Sequence, residues 1–187
     1  MSKINQNYYN MKTFAFYQYL PAKRQTATTP ERYARVRQLV WNFKNGRKQA
    51  QNYMIDLVSS CFTKWYGEGC KDIVFVCVPT ANERKYYYRF RKFTDEVCRR
   101  TGVRNGTAQI TIAGQRNAKH RVSNHVVRES EHYLVFINED YFKGKTCIIF
   151  DDIRTTGRTS EEFAAELQRA GATVKGGLFI AQSILNA

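Results

Sequence analysis

Apolar positions along this chain follow two rhythms, and the switches between them mark its elements. Ala50, Tyr53, Met54, Leu57, Val58, Cys61, Phe62 and Trp65 recur at the spacing of one helical face until Gly67 and Gly69 interrupt them. A shorter stripe, Tyr33, Val36, Leu39, Val40 and Phe43, comes before it, with Thr29 as the expected N-cap, Pro30 as first residue and Gly46 as the end. Two stretches, Asp72–Val78 and Cys147–Phe150, are nearly unbroken apolar runs. That pattern suits strands buried on both faces of a parallel sheet. A helix from Glu83 to Gly102 carries Phe90, Phe93 and Val97, and another from Thr159 to Ala170 carries Phe163, Ala164 and Leu167 before Gly171. Residues 107–112, Tyr133–Asn138 and Ala172–Ile184 read as further strands, and Phe14, Phe16, Tyr17 and Tyr19 as a short strand or a packed arm. Ala113–Glu131 reads as one long polar loop, the kind that usually serves as a lid or binding loop. Strands alternating with helices predict an α/β fold with a mostly parallel central sheet flanked by helices. At 187 residues the chain suits a single domain, 1–187.

The stretch most loaded with chemistry is Thr146–Ser160. A buried strand runs into Asp151 and Asp152, then into Ile153-Arg154-Thr155-Thr156-Gly157-Arg158-Thr159, and a helix follows. In an open α/β sheet the ligand crevice lies beyond the carboxyl ends of such strands. Gly157 can adopt backbone angles that turn successive N–H groups into an anion-binding nest. Thr155, Thr156 and Thr159 add hydroxyl donors, and the helix presents its positive end to the same point. Asp151 and Asp152 would repel a phosphate. They suit a neighbouring diol or a hydrated divalent cation instead. A phosphate cradle with two acids before it describes a phosphorylated sugar with free hydroxyls. A plainer alternative is a capped helix after a strand, with Thr159-Ser160-Glu161-Glu162 supplying a capping box. Neither the Walker A pattern nor the dinucleotide fingerprint occurs.

Residues 151–159 resemble the signature of the type I phosphoribosyltransferases for 5-phosphoribosyl 1-pyrophosphate (PRPP): two acids, two variable residues, then Thr-Thr-Gly-x-Thr. The resemblance covers roughly residues 30–184 and is closest to the ComF-type, competence-associated branch, in which Phe43–Arg47, Val78-Pro79 and Arg89-Phe90 fall in order. That branch's cysteine-rich zinc module is absent, and Arg89 and Arg91 stand where it usually has glycine and asparagine. Thr155 stands where hypoxanthine–guanine enzymes carry an acid. The resemblance implies a core at 71–187 that binds PRPP, with residues 1–70 forming a helical hood. It implies Mg²⁺ as cofactor, with Asp151 and Asp152 holding the ribose hydroxyls or the metal. The 5′-phosphate would fall to Thr155, Thr156, Gly157, Arg158 and Thr159. Pro79, Thr80 and Ala81 would lie on the pyrophosphate loop, with Arg84 and Lys85 adding charge. The long basic segment corresponds to a lid, from which Arg116 and Lys119 are the catalytic candidates, with Arg121 beside them; His120 reads as exposed and idle. The acceptor of the phosphoribosyl group would be a small, nucleobase-like molecule.

The net charge of +14 is uneven: residues 1–100 carry 19 Lys and Arg against 7 Asp and Glu. Such basicity favours a polyanionic partner. It motivates an alternative: a non-catalytic module that senses PRPP or a nucleotide and binds single-stranded DNA or a competence protein. A homodimer is compatible with either reading. Five cysteines with no Cys-x-x-Cys pair read as reduced thiols, with neither a disulfide framework nor a zinc site. No apolar run approaches a membrane span, and the first residues lack a signal-peptide core, so the expected location is cytoplasmic.

Overall fold

The computed structural model describes residues 11–114, 125–129 and 133–184. A five-stranded sheet in the order β1-β8-β7-β2-β3 forms the centre. Its strands are β1 (Lys12–Tyr19), β2 (Ile73–Cys77), β3 (Arg104–Asn105), β7 (Thr146–Arg154) and β8 (Thr173–Ser183). Every pairing in it is parallel. The helices are α1 (Arg32–Lys44), α2 (Lys48–Tyr66), α3 (Glu83–Thr101), the short α4 (Glu139–Phe142) and α5 (Arg158–Arg169). A second, antiparallel sheet joins β4 (Ile110–Gly114), β5 (His125–Glu129) and β6 (Tyr133–Ile137) in the order β4-β6-β5. The fold is thus a parallel sheet flanked by helices, as the sequence predicts.

Topology positions the crevice. From β2 the chain crosses through α3 to β3 on one side, and from β7 through α5 to β8 on the other. Right-handed crossovers in opposite directions put α3 and α5 on opposite faces of the sheet. The carboxyl ends of β2 and β7 therefore flank a topological switch point, where open α/β sheets bind ligands.

The face under α1–α3 is packed with aromatic rings. Phe150 lies 4.7 Å from Phe93, 5.8 Å from Phe43, 5.9 Å from Phe75 and 6.3 Å from Phe90 between ring centroids. All five rings are fully buried. Each contributes about 2–3 kcal/mol by leaving water, which fixes the helices on the sheet before any polar contact is considered.

The N-terminal segment, where Phe14–Tyr19 reads as a short strand or a packed arm, supplies β1 to the sheet edge, pairing Lys12 with Gly176 through Tyr19 with Ser183. Its helices α1 and α2 send Val40, Phe43, Met54, Val58 and Phe62 into the main core. Thr29 does not cap α1: its hydroxyl accepts the Thr26 N–H at 2.8 Å, and the N-cap is Glu31. The strand expected at 107–112 begins only at Ile110, after one 3₁₀ turn at Thr107–Gln109. The long loop is interrupted by β5, which pairs with β6 through a bulge between Val126 and Arg128. Cys61, Cys70, Cys77, Cys98 and Cys147 are all free thiols.

Candidate functional site

Strand β7 ends where the signature begins, and its last residues build the site. Gly157 is buried at the N-cap of α5 with φ +88° and ψ −12°, the left-handed conformation that glycine adopts without strain. This turn swings the chain from the sheet into the helix and leaves the first-turn N–H groups of α5 without intrahelical carbonyls. Gly157 has no side chain to cap the helix, and Thr156 Oγ1 accepts the Arg158 N–H at 3.4 Å. The capping box does not form: Thr159 lies inside the helix, which starts from Gly157, and Glu162 pairs with Arg158. Ser160 Oγ donates to Gly157 O at 2.7 Å, and Glu161 turns to Arg154, 2.9 Å away. Arg154 also donates to Gln182 Oε1 at 3.2 Å, and Gln182 Nε2 donates to Thr155 O at 3.1 Å. An Arg–Glu–Gln network thus braces the loop from beneath. A Cβ on Gly157 would come within 2.5 Å of the Arg154 guanidinium and 2.7 Å of Glu161 Oε1, so glycine is required twice over. Thr155, Thr156, Arg158 and Thr159 are exposed around the turn, with Arg158 Nε donating to Glu162 Oε1 at 2.8 Å.

The two acids sit in different surroundings. Asp152 is 5 % exposed and engaged by two cations: Arg89 Nη1 at 2.7 Å from Oδ2, and Lys44 Nζ at 3.2 Å from Oδ1. Asp151 is partly exposed, and its Oδ1 accepts the Asp152 N–H at 2.8 Å. Burial and the neighbouring Asp152 charge push the Asp151 carboxyl up to about 7, against the opposing effects of the Asp152 N–H, Arg89 and Lys44. A carboxyl so poised holds a proton near neutrality until a cation or a hydrogen-bonding diol stabilises the charged form.

Across the switch point, the loop after β2 is anchored by the Val78 N–H donating to Phe150 O at 2.8 Å. Pro79 is buried and Thr80 half-buried, its hydroxyl donating to Asn82 O at 3.1 Å. Ala81, Arg84 and Lys85 are exposed, and Asn82 caps α3 by accepting the Lys85 N–H at 2.9 Å. The structure therefore brings Pro79, Thr80 and Ala81 to the same end of the sheet as Asp151, Asp152 and Gly157. Arg84 and Lys85 stand in the first turn of α3. Arg116 and Lys119 lie outside the described residues, as do His120 and Arg121.

Lys44, Arg89, Arg154 and Gln182 went unassigned in the sequence, and one of them left a signal. Arg89 falls on the buried stripe of α3 formed by Tyr86, Phe90, Phe93 and Val97. A cation on such a stripe implies a buried acid nearby, because lone charges are almost never fully buried.

No protein-family model matches the sequence, and a comparison with curated proteins gives no match either. Solved structures with a similar chain course include adenine phosphoribosyltransferases. That of Thermoanaerobacter pseudethanolicus is 19 % identical with a TM-score of 0.47, covering 72 % of this chain and 68 % of its own. A second adenine phosphoribosyltransferase is 16 % identical with a TM-score of 0.49, covering 73 % of this chain and 71 % of its own. The Saccharomyces cerevisiae enzyme, solved with an imino-altritol bisphosphate and adenine, is 14 % identical with a TM-score of 0.47, over 73 % of this chain and 71 % of its own. The likeness is one of fold. Among the described residues, no helix is long and apolar enough to cross a membrane.

Proposed function

We propose that this chain is a phosphoribosyltransferase that binds Mg-PRPP and transfers the phosphoribosyl group to a small nitrogenous, nucleobase-like acceptor. The observation that carries the reading is the Gly157 turn: a left-handed glycine between an acid-terminated strand and a helix N-terminus, beside the switch point. The 5′-phosphate would rest on the amides and hydroxyls of residues 155–159. Asp151 would meet the ribose hydroxyls. Pyrophosphate would lie against the Pro79–Ala81 backbone, with Arg84 and Lys85 adding charge and Arg116 and Lys119 closing from the lid. The acceptor nitrogen bonds to C1 as the C1–O bond to pyrophosphate breaks, and the bonding pair leaves with pyrophosphate. The chain's part is to position the partners, exclude water and stabilise developing charge. The whole chain would act as one unit, and the ComF-type branch is its nearest kind within the family by sequence order.

Magnesium fits this donor set in a limited way. Among the described residues no three His, Cys, Asp or Glu side chains group together, and Asp152 is already neutralised by Lys44 and Arg89. Asp151 remains as a carboxylate ligand, and the rest would come from water and substrate oxygens, which is how Mg²⁺ is commonly held. Bound there, the ion would neutralise charge on the pyrophosphate.

Calorimetric titration tests the reading. Saturable PRPP binding that requires Mg²⁺, and pyrophosphate release with one of a panel of bases and small amines, is expected. Absence of binding with or without Mg²⁺ refutes it. A second reading, a surface for single-stranded nucleic acid, is favoured by exposed rings on β1 and α2: Phe14, Trp65 and Tyr53 are 43–44 % exposed on a strongly basic chain. Steeply salt-dependent binding of an oligonucleotide, lost on replacing Phe14 and Trp65 by Ala, would support it. Indifference to those replacements would remove it.

A further inference from the structure

We propose that the two adjacent carboxylates do different work. Asp151 is the acid that meets the ligand. Asp152 is a positioning residue that fastens β7 to α1 and α3 and, through its own amide, aims Asp151. This rests on the phosphoribosyl reading for the identity of the ligand.

Strand geometry separates the pair first. β7 stays in register with β8 beyond the acids, with Ile153 opposite Ala181 and Arg154 opposite Gln182. Successive side chains of a paired strand point to opposite faces. Asp152 therefore shares the face of Phe150, under α1 and α3, while Asp151 shares the face of Ile149. One diol or one cation cannot be met equally by both.

Charge separates them further. Each oxygen of Asp152 has a cation, Arg89 on Oδ2 and Lys44 on Oδ1, and its side chain is 7 % exposed. An incoming divalent ion would face two positive charges there. The backbone at or beside both cations is held from behind. Gln51 of α2 donates from Nε2 to Arg89 O at 3.0 Å and to Phe43 O, next to Lys44, at 3.2 Å. Asp152 is thus the point where three helices are tied to one strand. The same residue's N–H donates to Asp151 Oδ1 at 2.8 Å, so the tie also orients the partly exposed acid.

Thermal melts and Mg-PRPP isotherms on full-length Asp151→Asn, Asp152→Asn and Asp152→Asn/Arg89→Gln test this. Asp151→Asn should melt within a few degrees of the parent yet lose about a hundredfold in affinity. Asp152→Asn leaves the largely buried Arg89 and the half-exposed Lys44 without their anion and should lower Tm by about 5–10 °C. Measured well below its melt, it should lose only about tenfold in affinity and keep its Mg²⁺ requirement. The double variant should recover most of the lost Tm, and it stands in for Asp152→Asn should that variant not fold. Equal affinity losses and equal loss of Mg²⁺ dependence in both single variants, with Tm unchanged, would overturn the division. A parent that binds no Mg-PRPP would defeat the phosphoribosyl reading and Asp151's assignment together. The melts would then decide Asp152's anchoring on their own.

Discussion

Replacing Gly157 by alanine should damage the molecule through two separable effects. The first is backbone strain: at φ +88° an L side chain costs about 1 kcal/mol. The second is a collision, because the new methyl would lie 2.5 Å from Arg154 Nη2, 2.7 Å from its Cζ and 2.7 Å from Glu161 Oε1. Side-chain ends usually move aside at little cost, but these are committed. Arg154 is bonded to Glu161 and to Gln182, and Gln182 holds the Thr155 carbonyl. Displacing the guanidinium therefore disturbs the loop itself, and overpacking of this kind costs about 1–3 kcal/mol. The sum is about 2–4 kcal/mol. Gly102 supplies the control: its φ is +78° and nothing lies within 4 Å of its absent Cβ, so Gly102→Ala carries the strain without the collision. Urea denaturation of the two variants should place Gly157→Ala lower in midpoint by a margin equivalent to about 1–3 kcal/mol, with m unchanged. It should also weaken Mg-PRPP binding, which Gly102→Ala leaves intact. If Gly157→Ala proves no costlier than Gly102→Ala, the contact with the Arg154 network carries no energy and the bracing of the loop is refuted.

Two further outcomes follow from the same geometry. The folded state binds the Asp151 proton more tightly than the unfolded chain, since the carboxyl is pushed up to about 7 by burial first and the Asp152 charge second. Its contribution to stability is therefore full below the ordinary carboxyl value and lost as pH rises through about 7. The loss is at most about 4 kcal/mol, and the residue's partial exposure reduces it to roughly half. Asp151→Asn should flatten the decline in urea midpoint between pH 4 and pH 8, and a decline of the same steepness in the variant would assign the slope elsewhere. At the sheet edge, a Cβ on Gly176 would lie 2.7 Å from the Lys12 backbone carbonyl, which cannot turn aside. Gly176→Ala should part β1 from β8 at that end, costing about 1–3 kcal/mol. Amide exchange would rise in β1 while β7 stays protected, whereas unchanged protection of β1 would contradict the register.

Legibility in the sequence followed the range of the interactions involved. Gly157, the acids and the strand–turn–helix order were readable because each depends on neighbours within a few residues. The same holds for α2 and α3, whose stripes and terminal glycines, Gly67 and Gly102, act locally. The errors arose where a distant partner outcompeted a local preference. The capping box at Thr159–Glu162 is an exception: the Gly157 turn starts α5 two residues earlier, and Glu162 pairs with Arg158 at 2.8 Å instead. β5 carries no turn signal and a basic flank, and it becomes a strand by pairing with β6. β1 reads as either a short strand or a packed arm, because the strand that decides between them is β8, at the opposite end of the chain. The partners of Asp152 lie just as far beyond local view, 63 residues away at Arg89 and farther still at Lys44. The signature gives its two acids a single part because sequence records only that they are adjacent. Adjacency in a strand, however, means opposite faces, and only the tertiary fold decides which face is already filled with positive charge.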